Sequence, residues 1–341
     1  MARLAALALL ALPSGCVSLA PRSLAPGPAA RVVPGVPLAV FEEDRCGPGS
    51  LALVLGAHGD AASARELATG LPEIPGRGVL SVDLLIAARA RGFDAALLTG
   101  SEAGLRRELG AGRPAILMLR LLDAPGRHHD VYHYVVADGI DAAAGLFRLQ
   151  YGDGKARWVR LASVEGEWKP AGHALLVVRR RAETDAALAQ ALALESARRL
   201  EEAESVYREV LELRPESVRV WVDLGNVLSD RELREDAEGA YRRAVALDPA
   251  DRDALNNLAW LLLQQRSRLA EAEELAARAA KAPEGDSYRA LDTLGRIQLA
   301  RGRCPEAERT FRDALGAEAL PETALTALRE GHAQAEACLP R

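Results

Sequence analysis

Two stretches of the chain hold side chains suited to covalent chemistry. In "CGPGSLALVLGAHG", residues 46–59, a cysteine stands directly before Gly47-Pro48, and Leu51, Val54 and Leu55 follow at helical spacing. Proline loses no hydrogen bond in a first helical turn, so the spacing predicts a helix that begins at the cysteine. A thiol there faces the positive end of the helix dipole and unpaired N–H groups, which favour the nucleophilic thiolate. In "HYVVADGID", residues 133–141, His133 opens a strand-like run and is a residue type that takes and returns protons near neutrality. The plainer role for Cys46 is a small apolar residue buried at a helix start.

The elements that must position these two groups are short and varied. Strand-like runs at 115–122 and 131–137 flank a turn around Pro125-Gly126, and "GLFRLQY" after a turn at 141–145 is a third. "ASARELATGL" reads as a short helix capped by Ser63 with Glu66 three residues on. "SVDLLIAARARGF" is a second helix, with Ser81 as its expected cap and Gly92 ending it. "ARWVRLASVEGEWKPAGHALLVVRR" completes a sheet, with Trp158 and Trp168 partly buried and His173 in the last strand. His58 falls in the loop after the first helix, and both it and His173 read as structural. His128 and His129 with His133 raise a metal question, but a hairpin does not align such residues on one face, and Asp130 is the one carboxylate among them. The expectation is no metal site and no cofactor.

From about residue 184 the chain changes character. Ala191, Gly225, Ala259 and Gly295 stand 34, 34 and 36 residues apart. Around them recur Leu224 and Leu228, Leu258 and Leu262, Leu291 and Leu294 on first helices. Ala203 and Tyr207, Ala237 and Tyr241, Ala272 and Ala276, Ala307 and Phe311 mark the second helices. This pattern resembles the tetratricopeptide repeat, with four units over 184–338 and a capping helix at 321–339. The resemblance implies an all-α solenoid with a concave surface for a peptide or partner protein.

The amino terminus, "MARLAALALLALPSGC", has one positive charge at Arg3, an apolar stretch from Leu4 to Leu12, and small residues before Cys16. It reads as a signal peptide over 1–15, too short for a lasting span. Ser-Gly-Cys resembles the lipobox of bacterial lipoproteins, which implies diacylglycerol on Cys16; the alternative is ordinary cleavage. Residues 16–34 then form a Pro-rich tether. Every later domain is expected outside the cytoplasm, in the cell envelope, facing the periplasm from the outer membrane. There Cys304 and Cys338 form either a disulfide or two thiols. A net charge of −5 argues against general nucleic-acid binding.

Cys-Gly-Pro entering a helix and a later His-Tyr-Val-Val-x-x-Gly-x-Asp strand resemble papain-like cysteine peptidases of the double-glycine, bacteriocin-leader-processing type. More narrowly, the order of segments resembles bacterial lipoproteins described as cysteine peptidases with tetratricopeptide repeats. The resemblance implies an α+β papain-like cysteine peptidase domain over 35–182, followed by the all-α solenoid. It implies Cys46 as nucleophile, His133 as base, and Gln150 or Asp153 as the group orienting the imidazole. The family's oxyanion-donating Gln is missing: Phe41 or Val40 stands in its place, leaving the Cys46 backbone N–H. One lost donor costs roughly 10²–10³ in rate. The function implied is cleavage of a peptide or protein substrate, with the repeats holding substrate or partner. The alternative is a weakened or inactive peptidase fold that binds polypeptide.

Overall fold

The computed structural model describes residues 20–41, 45–72, 79–121, 131–282, 287–317 and 320–339. The segment 1–15 expected to be a signal peptide, Cys16, Pro125-Gly126, His128, His129 and Asp130 lie outside these. The chain divides into two compact units, Met1–Thr184 and Asp185–Arg341.

The first unit is built on an antiparallel sheet. Among the described residues its strands are β1 (Arg31–Val32), β2 (Phe93–Thr99), β3 (Ala115–Leu121), β4 (Val131–Asp141), β5 (Leu146–Gln150), β6 (Ala156–Val159) and β7 (Ala174–Arg180). They lie in the order β2-β7-β3-β4-β5-β6, with β1 on β4. The helices are α1 (Cys46–Ala57), α2 (Ala64–Thr69), α3 (Ser81–Ala90), α4 (Glu102–Gly110) and α5 (Glu165–Trp168).

Strand alternation sorts the sheet into two faces. Ile116, Tyr134, Val136, Leu176 and Val178 pack against Leu51, Val54 and Leu55 of α1 and Leu84 and Ala88 of α3. The intervening residues Leu117, Leu119, Val135 and Val177 are buried on the other face. That face is tied to α4 through Glu108, which accepts from Arg179 on β7 at 2.6 Å and from Arg113 at 2.7 Å. Burial pushes the Glu108 carboxyl up, but the two guanidinium groups outweigh it and hold the pKa below the ordinary value.

Two local expectations change. The α3 cap is Leu80, not Ser81: the Leu80 N–H is taken by Asp83 at 3.3 Å, while the Ser81 hydroxyl turns inward to Tyr134 Oη at 3.0 Å and Met118 Sδ at 3.1 Å. A buried partner won over a cap. The Pro-rich segment is also more than a tether. Leu24 N–H donates to the Trp158 carbonyl, Val33 N–H donates to the Asp138 carbonyl, and β1 pairs with β4. Extended backbone between prolines suits a sheet edge, because only its non-proline residues need donate. Ser63 and Glu66 do form the capping box of α2.

After β7 the chain runs into α6 (Arg181–Ser196), α7 (Leu200–Leu213), α8 (Val218–Asp230), α9 (Arg234–Leu247), α10 (Arg252–Gln264), α11 (Leu269–Lys281), α12 (Ser287–Ala300), α13 (Cys304–Leu315) and α14 (Glu322–Cys338). These pair as helical repeats, with one apolar core running from α6 to α12 and a second joining α13 and α14. The small residues have a steric reason. A methyl group on Gly225 would overlap the Tyr241 ring, and one on Gly295 would sit 2.7 Å from Phe311. Gly331 of α14 meets the same Phe311 ring, which seats the capping helix. Cys304 and Cys338 are joined as a disulfide across α13 and α14, with Cα atoms 5.6 Å apart.

Candidate functional site

Cys46 is the first residue of α1, and the four residues after it are buried. Glycine at 47 lets the helix approach β4: an added Cβ would lie 3.2 Å from the Tyr134 ring and 3.5 Å from Leu84. Ser50 Oγ donates to the Tyr134 carbonyl at 3.3 Å, a bridge spanning 84 residues. Tyr134 in turn donates its hydroxyl to the Val79 carbonyl at 2.9 Å. Burial pushes that hydroxyl's pKa up to about 12, the Ser81 hydrogen bond opposes the shift, and negative charge on Cys46 adds to it. The thiol therefore stands beside the buried Tyr134 phenol.

His133 precedes Tyr134, so the strand turns its imidazole toward the face that carries Leu119, its direct partner on β3, and away from the face covered by α1. The ring is buried at 2% exposure, lies nearly parallel to Tyr151 with centroids 6.3 Å apart, and has Nε2 3.0 Å from the Tyr151 carbonyl. A carbonyl only accepts, which assigns the proton to Nε2 and leaves Nδ1 as a bare base. Among the described residues no hydrogen-bond partner reaches Nδ1. Burial lowers the His133 pKa, opposed by the Tyr151 carbonyl and the field of Asp153. The imidazole is thus neutral near pH 7.

The two residues expected to orient it are otherwise engaged. Gln150 donates through Nε2 to Asp138 at 2.6 Å, and Asp138 also accepts from Arg148. Asp153 is held by Arg157 at 2.6 and 3.1 Å and by the Lys155 N–H at 3.2 Å. The orienting group is the Tyr151 backbone, which no side-chain motif announces.

Phe41 and Val40 are the positions at which the sequence resemblance expects an oxyanion-donating Gln. Phe41 N–H donates to the Gly152 carbonyl at 2.8 Å, and Val40 bridges to Asp153. The Phe41 ring wedges between Gly49 and Gly152, against both backbones. Gly152 has φ +77°, so a side chain there would be doubly excluded. Against the first turns of α1 the chain has placed an aromatic ring instead of an amide donor.

The second unit carries a different kind of site. A pocket of about 310 Å³ opens between α10, α12 and α14, lined by Asn256, Asn257, Trp260, Tyr288, Asp292 and Thr293, among others. Asn257 Nδ2 donates to Asn226 Oδ1 at 2.9 Å, and the Tyr241 hydroxyl donates to the same oxygen at 2.9 Å. Trp260 remains 37% exposed, and Asn256 Oδ1 is buried without a partner among the described residues. Sequence periodicity marked the packing positions of these helices and passed over the polar ones between them.

Residues 187–293 match the family model of the cilia and flagella-associated protein 70 middle TPR-like domain. That stretch is a tetratricopeptide-type repeat domain. Among solved structures, Pseudomonas aeruginosa pilF is similar at 20% identity, over 46% of this chain and 77% of that one, with a TM-score of 0.39. The Thermus thermophilus TPR protein TTC0263 is similar at 20% identity, over 46% and 87%, with a TM-score of 0.38. YrrB, described as a TPR protein with an unusual peptide-binding site, is similar at 21% identity, over 45% and 80%, with a TM-score of 0.36. No curated protein matches the chain.

Proposed function

We infer that the protein is a polypeptide-binding scaffold that holds an extended segment of a partner protein against the groove of α10, α12 and α14. The observation that carries this reading is the exposed indole of Trp260 in a pocket of about 310 Å³ that the half-buried amides of Asn256 and Asn257 also line. An indole supplies apolar contact area with a polar edge, and amide side chains beside it can pair with a peptide backbone. Trp260→Ala is expected to weaken partner capture by at least tenfold while leaving the helical circular dichroism unchanged. Equal capture by Trp260→Ala and the parent would remove this reading.

A second reading, cysteine-peptidase activity in the first unit, is favoured by one observation: a thiol at the first residue of α1, where the helix dipole favours thiolate, with the His133 imidazole on the sheet face away from that helix. The step would be thiolate attack on a peptide carbonyl, transfer of a proton to the leaving amine, and hydrolysis of the acyl-enzyme. Phe41 in place of an oxyanion donor argues for slow turnover. Iodoacetamide labelling of Cys46 at neutral pH faster than a model thiol, lost in His133→Gln, is the expected sign of an activated pair. Equal rates would leave binding alone. The same proposal places the protein in the cell envelope through a lipid on Cys16; Cys16→Ala is expected to move it from the membrane to the soluble fraction.

A further inference from the structure

The four second helices share an Ala-Glu pair: Ala203-Glu204, Ala237-Glu238, Ala272-Glu273 and Ala307-Glu308. Three of these glutamates are tied to a guanidinium from the turn that follows the next helix or, for Glu238, from the turn before α11. Glu204 pairs with Arg231, Glu238 with Arg268, and Glu273 with Arg301 and Arg303. At the fourth position the pattern changes. Glu308 receives an imidazole, His332 of α14, with Nε2 3.1 Å from Oε1. The other nitrogen, Nδ1, lies 3.8 Å from Glu336 Oε2, one turn further along α14.

A guanidinium cannot ligate a metal, whereas an imidazole with carboxylates on both sides has the donor set of a first-row divalent cation. One ligand atom from each of Glu308, His332 and Glu336 lies within 4.8 Å of the other two. Ligands at about 2.0–2.2 Å from Zn²⁺ need their atoms roughly 3.4 Å apart, and a metal takes a single ring nitrogen, so Glu336, which faces Nδ1, must rotate toward the Nε2 side that Glu308 occupies to close the set. That rotation is cheap, since the Glu336 side chain is 60% exposed, while Glu308 and His332 at 11% and 22% form the fixed half. The two helices are also held together covalently. Cys304 stands one turn before Glu308 and Cys338 two residues past Glu336, so the disulfide preorganises the pair. Arg312, also on Glu308, must release; its side chain is 66% exposed, so the pair it gives up is worth little.

We propose that Glu308, His332 and Glu336 form a divalent transition-metal site, Zn²⁺ being the probe, that clamps the capping helix α14 to α13. Water completes the coordination. The test is calorimetric titration of the full-length, disulfide-intact protein with ZnCl₂, alongside His332→Ala and Glu336→Gln. The expected result is one saturable site that both variants weaken by more than about tenfold, a loss reported even for outer-shell partners of metal sites. A rise in the melting temperature with Zn²⁺ should accompany binding in the parent and be absent from His332→Ala. Glu336→Gln changes an exposed side chain, so its loss of binding is not a folding failure. Zn²⁺ affinity unchanged in both variants, or no saturable binding to about 1 mM, would overturn the proposal and leave the cluster as the last ion pair of the series.

Discussion

The two units hold their polar groups by opposite means. In the repeats, the glutamate at the same position of each second helix, Glu204, Glu238, Glu273 and Glu308, meets a basic group supplied from the following helix or turn. In the first unit the buried ties that join its elements occur singly and link residues distant in the chain: Ser50 to Tyr134, Glu108 to Arg179, His133 to Tyr151. Repetition spreads stability over neighbouring interfaces, whereas a sheet with single long-range ties concentrates it. A substitution in the solenoid should therefore act locally, and one in the sheet should act throughout that unit.

Four measurements sharpen or break this contrast. The largest effect is expected from Glu108→Ala. It removes the buried carboxylate that Arg179 and Arg113 share and should destabilise the first unit by about 3–5 kcal/mol in urea unfolding. Hydrogen exchange should rise across all the sheet amides and stay unchanged in the repeats. If only α4 opens, the sheet is less cooperative than argued. Replacing both Cys304 and Cys338 by Ser opens a loop of 34 residues and should cost about 4 kcal/mol. The loss should be confined to α13 and α14; faster exchange as far back as α8 would break the local picture.

Gly225→Ala drives a methyl into the Tyr241 ring and should cost about 1–3 kcal/mol, despite alanine's better helix propensity. A stabilised variant would show that the α8 and α9 backbones can separate freely. The smallest effect concerns pH. Burial lowers the pKa of His58, opposed in part by Glu183, and that of His133, opposed by Tyr151 and Asp153, both from 6.5. The unfolded chain then binds protons first as pH falls, so stability of the first unit declines from about pH 6.5 until the folded imidazoles charge. Glu108, held below its ordinary value, adds a separate loss at lower pH. His133→Gln should flatten the upper part of the curve; an unchanged slope would mean that His133 does not report on folding.

Where the signal was local, the reading carried. The capping box at Ser63, the strand runs around β3 to β5, and the repeat spacing rest on contacts a few residues apart or on a recurring period. Where two partners competed for one group, it did not. Ser81 was suited to cap α3, but Tyr134, 53 residues away, took its hydroxyl. Gln150 and Asp153 were plausible orienting groups for His133 until Asp138 and Arg157 engaged them and a backbone carbonyl took the role. The metal question was asked of 128–133, because neighbouring histidines attract it. The cluster that geometry assembled joins Glu308 to a helix 24 residues further on.

The sequence by itself determined a helix starting at Cys46 and a periodic helical array with glycines opposite aromatic rings, because dihedral preference and periodic burial act between near neighbours. Only the tertiary structure decided which face of β4 carries His133, that Phe41 fills the space beside α1, and that an imidazole closes the series of Glu–Arg pairs. Those outcomes depend on register and on the docking of elements far apart in the chain, where a shift of one residue reverses what each side chain meets.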